Sequence, residues 1–282
     1  MRTPGRHRVT PYLFLLVPLL LVTFAELLPS LYTMVLSFLD WNIISDPEFV
    51  GFEKYVELAT SETLLRSLRN TGVWVLGTLA FPVGLALVIA KILTVVEFGR
   101  PVYKAIFFVP ATLAPTVAAI VWRRVLTTEQ GALFALIPGE PSSILADPTI
   151  NTFVMLGVWT WQFLGLNLVL FLVGLESLPS APIEAASIDG ANGWQIFRLV
   201  ELPLLRPIVL LVVGNAVINS ARMFDIPWVM TAGGPGRASE TLAISLYRES
   251  FLLFDMGLGA AIGVVISILT LVFAIRAFRG PA

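Results

Sequence analysis

Six long apolar blocks dominate the sequence, and each is long enough to cross a lipid bilayer as a helix. A spanning helix needs about 20 mainly apolar residues. The blocks cover residues 11–38, 71–92, 102–125, 152–175, 203–221 and 256–278. Their apolar runs are continuous rather than split into short alternating segments, which favours helices over the strands of a membrane barrel. We therefore predict an all-α membrane protein with six transmembrane helices, forming a single membrane domain over residues 1–282.

The composition excludes most classes of soluble protein. Hydrophobic residues make up 57% of the chain and charged residues 13%, against about 45–50% and about 25% in soluble domains. A net charge of −1 gives no field that would attract nucleic-acid phosphates, so we expect no nucleic-acid partner. The chain has no cysteine and one histidine, His7, in its N-terminal tail. We therefore expect no metal site and no catalytic residues, since neither an HExxH motif nor a set of convergent ligands is available.

The distribution of basic residues predicts the orientation of the first helix. Arg2, Arg6 and Arg8 precede the first block, and the next cation, Lys54, follows an acidic stretch. Basic residues are enriched on the cytoplasmic side of membrane proteins. We predict that both termini lie in the cytoplasm. Two of the three outer connections are then 49–70, where we expect short amphipathic helical turns, and 127–148, which is typical of a loop.

The connection between the fourth and fifth blocks, residues 176–202, predicts two short helices at the cytoplasmic face. Pro182 suits the first turn of a helix, and Glu184 would be stabilised near the positive end of that helix. Gly190 can end the helix in a left-handed conformation. A second short helix is predicted from Trp194 to Val200.

Several motifs resemble those of one transporter family. The run Glu184-Ala185-Ala186, followed by Asp189-Gly190-Ala191 and Leu202-Pro203, resembles the EAA loop of ABC importer permeases. Residues 224–242, 49–55 and 108–122 are similar to segments of sugar-importer permeases, in particular the first subunit of the maltose and glycerol-phosphate type.

This resemblance implies a multi-pass protein of the bacterial or archaeal cytoplasmic membrane, and it implies a set of partners. The loop would form a helix that couples to a cytosolic ATPase dimer. Its coupling residues would be Glu184, Ala185, Ala186, Asp189 and Gly190. A second homologous permease subunit would complete a heterodimer, and an extracytoplasmic binding protein would deliver the substrate. The sequence contains no GxxxxGK[ST] motif, so ATP and Mg²⁺ would be bound by the ATPase and this chain would carry no cofactor and no enzymatic activity.

Polar and aromatic residues inside the fourth and fifth blocks are candidates for the substrate path. Buried polar groups are costly in a bilayer and often functional. Aromatic faces stack on sugar rings, and amides bind sugar hydroxyls. The resemblance and these side-chain types together select Trp159, Gln162, Phe163, Asn167, Ala216, Asn219 and Ser220. The alternative for each of them is hydrogen bonding or packing between helices.

Some alternatives stay open. Arg222, at the outer end of the fifth block, is compatible with a glycerol-phosphate or polyol substrate, or it pairs with Asp225. Glu26 in the first block is either a structural carboxylate or part of a proton relay in a self-sufficient secondary transporter. Gly259 and Gly263 form a GxxxG pattern that favours helix packing.

Overall fold

A computed structural model describes residues 10–96, 98–127 and 142–278, and these residues are almost entirely helical. Within this part of the chain, five helices are long and apolar enough to cross a membrane, and a bent helix pair brings the number to six if it counts as one span. Packing divides the chain into two compact units, Met1–Ser61 with Leu246–Val265 and Glu62–Ser245 with Ile266–Ala282.

The first unit begins with one long helical stretch. Helix α1 (Thr10–Val22) continues through a π turn (Thr23–Leu27) into α2 (Leu28–Leu36). Strands β1 (Leu39–Asp40) and β2 (Glu48–Phe49) pair antiparallel, with Leu39 opposite Phe49. Helix α3 (Glu53–Thr60) follows. The predicted helical turns of residues 49–70 are therefore seen in α3, whereas residues from Glu62 onward belong to the next long helix.

The second unit contains most of the helices. They are α4 (Glu62–Thr78), a π turn (Leu79–Val83), α5 (Gly84–Val95), α6 (Arg100–Phe108), a 3₁₀ turn (Val109–Thr112), α7 (Pro115–Thr127), α8 (Ser142–Ala146), α9 (Asn151–Glu176), α10 (Ser180–Ile188), α11 (Gly193–Ile196), a π turn (Phe197–Glu201), α12 (Leu202–Leu204), α13 (Arg206–Ala221) and α14 (Asp225–Thr231). Helix α15 (Leu242–Tyr247), a π turn (Arg248–Leu252) and α16 (Met256–Phe278) complete the chain. Of the predicted loop 127–148, residues 128–141 lie outside the described residues, and Ser142–Ala146 is helical instead.

Proline explains why π turns interrupt several long helices. Proline has no N–H to donate, and its ring clashes with the carbonyl four residues earlier. Pro29 follows the turn at Thr23–Leu27, Pro82 lies within Leu79–Val83, and Pro203 follows Phe197–Glu201. Wider turns of this kind let a helix continue through the defect while its remaining carbonyls find donors.

The third predicted span, 102–125, is not one straight helix. Helix α6 with its 3₁₀ turn and helix α7 meet at an angle of 97°. Leu113 is extended (φ −78°, ψ 142°), and Ala114 precedes Pro115, a position that disfavours helical backbone. The other predicted spans match helices, although the second begins at Glu62 and the fifth extends from Arg206 to Thr231.

Helix α9 is the centre of the second unit. It is buried on most of its circumference, as expected of a helix that is apolar all round. Met155, Leu168 and Phe171 are fully buried with Trp74 of α4. Gly174 lies so close to α13 that an added Cβ would be 2.7 Å from Leu205 Cδ1.

Close glycine contacts pack the part of α16 that belongs to the first unit, residues 256–265. A Cβ at Gly257 would lie 2.0 Å from the Leu39 carbonyl oxygen, and one at Gly259 would lie 1.9 Å from Ser250 Oγ. A Cβ at Gly263 would lie 3.2 Å from Leu246 Cδ1. The packing role predicted for Gly259 and Gly263 is therefore confirmed.

A buried lysine joins three elements of the first unit. Lys54 Nζ lies 2.9 Å from Asp40 Oδ1 and 2.8 Å from Asp255 Oδ2, while Glu57 is 4.0 Å away. Asp255 Oδ1 also accepts the Leu258 N–H at the start of α16. Burial lowers the pKa of Lys54, but the hydrogen bonds and charges of Asp255 and Asp40 outweigh this, so the pKa is raised above its ordinary value.

We predict that Lys54→Met lowers the free energy of unfolding by about 1–3 kcal/mol, because two carboxylates lose their cation. The raised pKa means that this contribution is complete below about pH 10, the ordinary lysine pKa, and is lost as the pH rises through the folded-state value. Thermal unfolding of the detergent-purified protein measures this difference. Glu57→Gln is the control and should leave the unfolding midpoint unchanged. Equal midpoints for Lys54→Met and wild type at neutral pH would contradict the prediction.

Candidate functional site

Three of the predicted path residues share one face of α9. Trp159, Gln162 and Phe163 follow the helical spacing that places side chains side by side. The Trp159 and Phe163 rings stack with centroids 4.5 Å apart. Trp159 Nε1 donates to Thr78 Oγ1 of α4 at 3.1 Å, and Gln162 Nε2 donates to the Leu113 carbonyl at 2.8 Å. These bonds fix α9 to α4 and to the bend between α6 and α7.

Asn167 differs from its neighbours because its hydrogen-bonding capacity is unused. The residue is fully buried. Neither Oδ1 nor Nδ2 has a hydrogen-bond partner among the described residues, and Gln162 Oε1 also has none. Unsatisfied buried amides are rare in folded proteins and call for a reason, such as a role in function. Their hydrogen bonds are available to a group outside the described part of the chain.

The three candidates on α13 occupy different environments. Ala216 and Ser220 are fully buried, and Ser220 Oγ donates to the Ala216 carbonyl at 2.7 Å. Asn219 is exposed, and its Nδ2 donates to the Asn215 carbonyl at 2.8 Å. Six of the seven candidates are therefore buried within the second unit, and Asn219 alone among them is exposed. Their contact with substrate stays a prediction.

The segment after α14 forms a polar network with α4 and α9. Glu240 is fully buried and forms a two-point ion pair with Arg237, at 2.7 Å and 2.5 Å. Asn70 Nδ2 donates to the carbonyls of Ala238 and Glu240, and Asn151 Nδ2 donates to that of Gly234. This network holds in place the segment that resembles sugar-importer permeases. The network also joins connections that the predicted membrane orientation places on the outer side.

The connection between α9 and α13 carries an exposed helix with a well-defined end. Helix α10 holds Glu184, Ala185 and Ala186, of which Ala186 is half-buried and the other two are exposed. Gly190 has φ +82°, so its left-handed conformation is confirmed. The N–H groups of Gly190 and Ala191 bond the Ser187 and Ala186 carbonyls, which is a Schellman end.

The coupling residues at that end, Asp189 and Gly190, are also exposed. Asn192 then begins α11 with a capping box to Gln195.

Two carboxylates that sequence reasoning missed flank this connection. Glu176 ends α9 and pairs with Arg100 and with Lys104, the latter at 3.5 Å. Glu201 ends the π turn and lies 2.6 Å from Lys91 Nζ. Their position in the sequence could have identified them, because each carboxylate lies where an apolar block meets a polar connection. These contacts also bring the connections 91–104 and 176–202 to the same end of the second unit.

Comparison with known proteins identifies the family. The chain is 32% identical to an osmoprotective compounds uptake permease of Synechocystis over 265 residues, covering 90% of this chain and 93% of that protein. It is also 30% identical to a probable ABC transporter permease of Pyrococcus horikoshii, covering 93% and 92% of the two chains. The chain belongs to the permeases of ABC transporters. This permease is also 30% identical to the arabinooligosaccharides transport system permease of Bacillus subtilis, covering 96% and 88% of the two chains. It is 28% identical to the sn-glycerol-3-phosphate transport system permease of Agrobacterium fabrum, covering 97% and 94%.

Structural comparison agrees on the fold. The permease superposes on a chain of a bacterial alginate ABC transporter with a TM-score of 0.80 at 18% identity, covering 96% and 93% of the chains. No protein-family model matches the sequence. The predicted membership of the ABC permease family is confirmed.

We predict that Gly165→Ala disrupts the contact between α9 and α6. An added Cβ would lie 2.0 Å from the Phe107 carbonyl oxygen, which belongs to the backbone and cannot rotate away. The expected cost is about 1–3 kcal/mol of folding free energy, measured by thermal unfolding. Gly157→Ala is the matched control on the same helix, because nothing lies within 4 Å of its added Cβ. Equal midpoints for the two variants would refute the close contact.

We predict that Asn167→Leu raises or preserves thermal stability while reducing transport. Leucine has nearly the same branched shape and removes an unsatisfied buried amide, a group that costs about 1–3 kcal/mol. Unfolding midpoint and uptake rate are measured on the same preparation. A large fall in stability would show instead that Asn167 has a structural hydrogen-bond partner.

Proposed function

We propose that this permease is the membrane subunit of a carbohydrate importer and forms half of its translocation path. The observation that carries the proposal is its near full-length similarity to permeases named for uptake of osmoprotective compounds, arabinooligosaccharides and glycerol-phosphate. The amide and aromatic groups on α9 support a polyhydroxylated substrate, since stacking and amide hydrogen bonds together suit sugars.

Helix α10 is the proposed contact with a cytosolic ATPase dimer that binds ATP and Mg²⁺. Its exposure supports this role, as do two exposed apolar side chains: Ile188, the last residue of α10, is 86% exposed, and Trp194 of α11 is 66% exposed. Exposed apolar groups of this size mark interaction surfaces. Ala185 would allow close approach, and Glu184 would contribute a polar contact. In this proposal the connections 91–104 and 176–202 face the cytoplasm, as do both termini.

A second permease subunit is the proposed neighbour of the first long helix. None of the 18-residue apolar window within Tyr12–Leu36 is buried, and Glu26, near its middle, is exposed. A carboxylate facing the centre of a bilayer costs roughly 2.5–3.5 kcal/mol on insertion scales. A partner helix with a hydrogen-bond donor or cation would remove that cost. This supports the structural interpretation of Glu26 over a proton relay.

A glycerol-phosphate or other polyol substrate is the second candidate. Arg222 at the outer end of α13 is exposed, and no salt bridge joins it to Asp225 in the described part of the chain. Asp225 instead accepts a hydrogen bond from Thr116 Oγ1 at 2.9 Å. A guanidinium that has no salt bridge among the described residues suits an anionic substrate. An extracytoplasmic binding protein would present either substrate, and a ligand screen on that protein would separate sugars from phosphorylated polyols.

We predict ATP-dependent uptake of a carbohydrate by the reconstituted complex of this permease, its partner permease, the ATPase and the binding protein. Transport should stop when the ATPase active site is disabled, because this chain has no nucleotide-binding motif. Radiolabelled sugar uptake into proteoliposomes provides the measurement. Undiminished uptake without ATP hydrolysis would support a self-sufficient secondary transporter.

We predict that Gly190→Ala weakens ATPase coupling. A side chain in the left-handed region costs roughly 1–2 kcal/mol, which would loosen the end of α10. Gly193→Ala is the control, since Gly193 has an ordinary φ and open space around its added Cβ. The measurement is binding-protein-stimulated ATP hydrolysis in the assembled complex. Equal stimulation of ATP hydrolysis in both variants would show that the end of α10 does not contribute to coupling.

A further inference from the structure

We propose that ion pairs clamp both ends of the coupling segment, residues 177–200, to cationic residues of the neighbouring helices α5 and α6, and that this clamp passes movement of α10 into α6. The clamp consists of Lys91–Glu201, Arg100–Glu176 and Lys104–Glu176. The proposal rests on the proposed function, because it concerns how ATPase-driven movement would enter the permease.

The pair at the C-terminal end of the segment is the more buried. Lys91 Nζ lies 2.7 Å from Oε1 and 2.6 Å from Oε2 of Glu201. The Glu201 side chain is 9% exposed and that of Lys91 is 31% exposed. Lys91 Nζ also lies 5.8 Å from the centre of the Phe197 ring, a favourable position for a cation. A pair this sheltered is little screened by salt, and removing one partner leaves a buried charge.

The pair at the N-terminal end joins α9 to α6. Glu176 is the last residue of α9, and Arg100 is the first residue of α6. Lys104, one turn further along α6, approaches the same Glu176 oxygen at 3.5 Å. One carboxylate therefore holds two cations on one helix, which fixes the first turns of α6 relative to the end of α9.

The residues that flank the two ends of the coupling segment also pack on each other. An added Cβ at Gly174 would lie 2.7 Å from Leu205 Cδ1 and 3.1 Å from Ile208 Cγ1, and Leu205 is 1% exposed. The ends cannot separate without opening this contact. A force on α10 therefore acts on α9 and α13 together, and through the ion pairs on α5 and α6.

Helix α6 links the clamp to the predicted substrate path. Its first turns are held at Glu176, and the residues after it are held by Gln162, which donates to the Leu113 carbonyl. Leu113 lies at the 97° bend between α6 and α7. Gln162 lies on the same face of α9 as Trp159 and Phe163, the other two path candidates there. Displacement of the clamped end of α6 would therefore change the bend beside these residues.

The test compares charge variants in the reconstituted complex, with substrate transported per ATP hydrolysed as the readout. Glu201→Gln should assemble and hydrolyse ATP but lower this ratio by about tenfold, within the usual range of coupling energies. Lys91→Glu and Glu201→Lys should each lower it, and the double variant should recover most of it. Arg198→Gln is the control, because it removes an exposed charge from the same segment without touching the clamp.

The possible outcomes separate the clamp from a merely structural role. A wild-type ratio in assembled Glu201→Gln, or a double variant no better than its singles, would overturn the clamp. If the single variants do not assemble, Lys91→Met/Glu201→Met restores apolar packing. This double variant should assemble but transport less substrate per ATP hydrolysed than wild type. Either a wild-type ratio or failure to assemble would overturn the proposal. Absence of ATP-dependent uptake by wild type would instead contradict the proposed function.

Discussion

Backbone hydrogen bonding in an apolar environment is the constraint on which the rest of this permease depends. Lipid supplies no partner for a freed N–H or carbonyl, so spanning segments must be helical. Prolines within such segments leave carbonyls unpaired, and π turns at Thr23–Leu27 and Leu79–Val83 accommodate them. At Leu113 the helix breaks instead, and Gln162 of α9 supplies the donor for the freed carbonyl. The polar side chain at this bend is thus a consequence of the break.

Helix α9 carries its close packing contacts and the predicted path residues on the same faces. Trp159 and Gln162 use one polar atom each to bind neighbouring elements, which is the helix-to-helix alternative that the sequence leaves open. Asn167 binds nothing among the described residues. Gly165 lets the α6 backbone approach where a side chain would collide with it. A helix this tightly packed can change its surroundings only if its neighbours move, which gives α6 its importance.

The few charged residues are concentrated at helix ends, where they tie connections together. Lys54 joins β1, α3 and the start of α16, and Lys91 and Arg100 hold the carboxylates that flank α10. Charges placed at the ends of apolar helices avoid the bilayer centre and still form sheltered pairs. The 13% of charged residues therefore fixes connections whose apolar helices could otherwise slide against each other.

The sequence by itself determined the apolar helices, the family and the left-handed end of α10 at Gly190, because each depends on residues close together in the chain. It also correctly indicated packing by Gly259 and Gly263. It could not show that the third block bends by 97°, nor that six of seven path candidates are buried, nor which acids pair with Lys91 and Arg100. Only the tertiary structure decided these points, because they depend on contacts between elements far apart in sequence, such as Gln162 with Leu113 and Lys91 with Glu201.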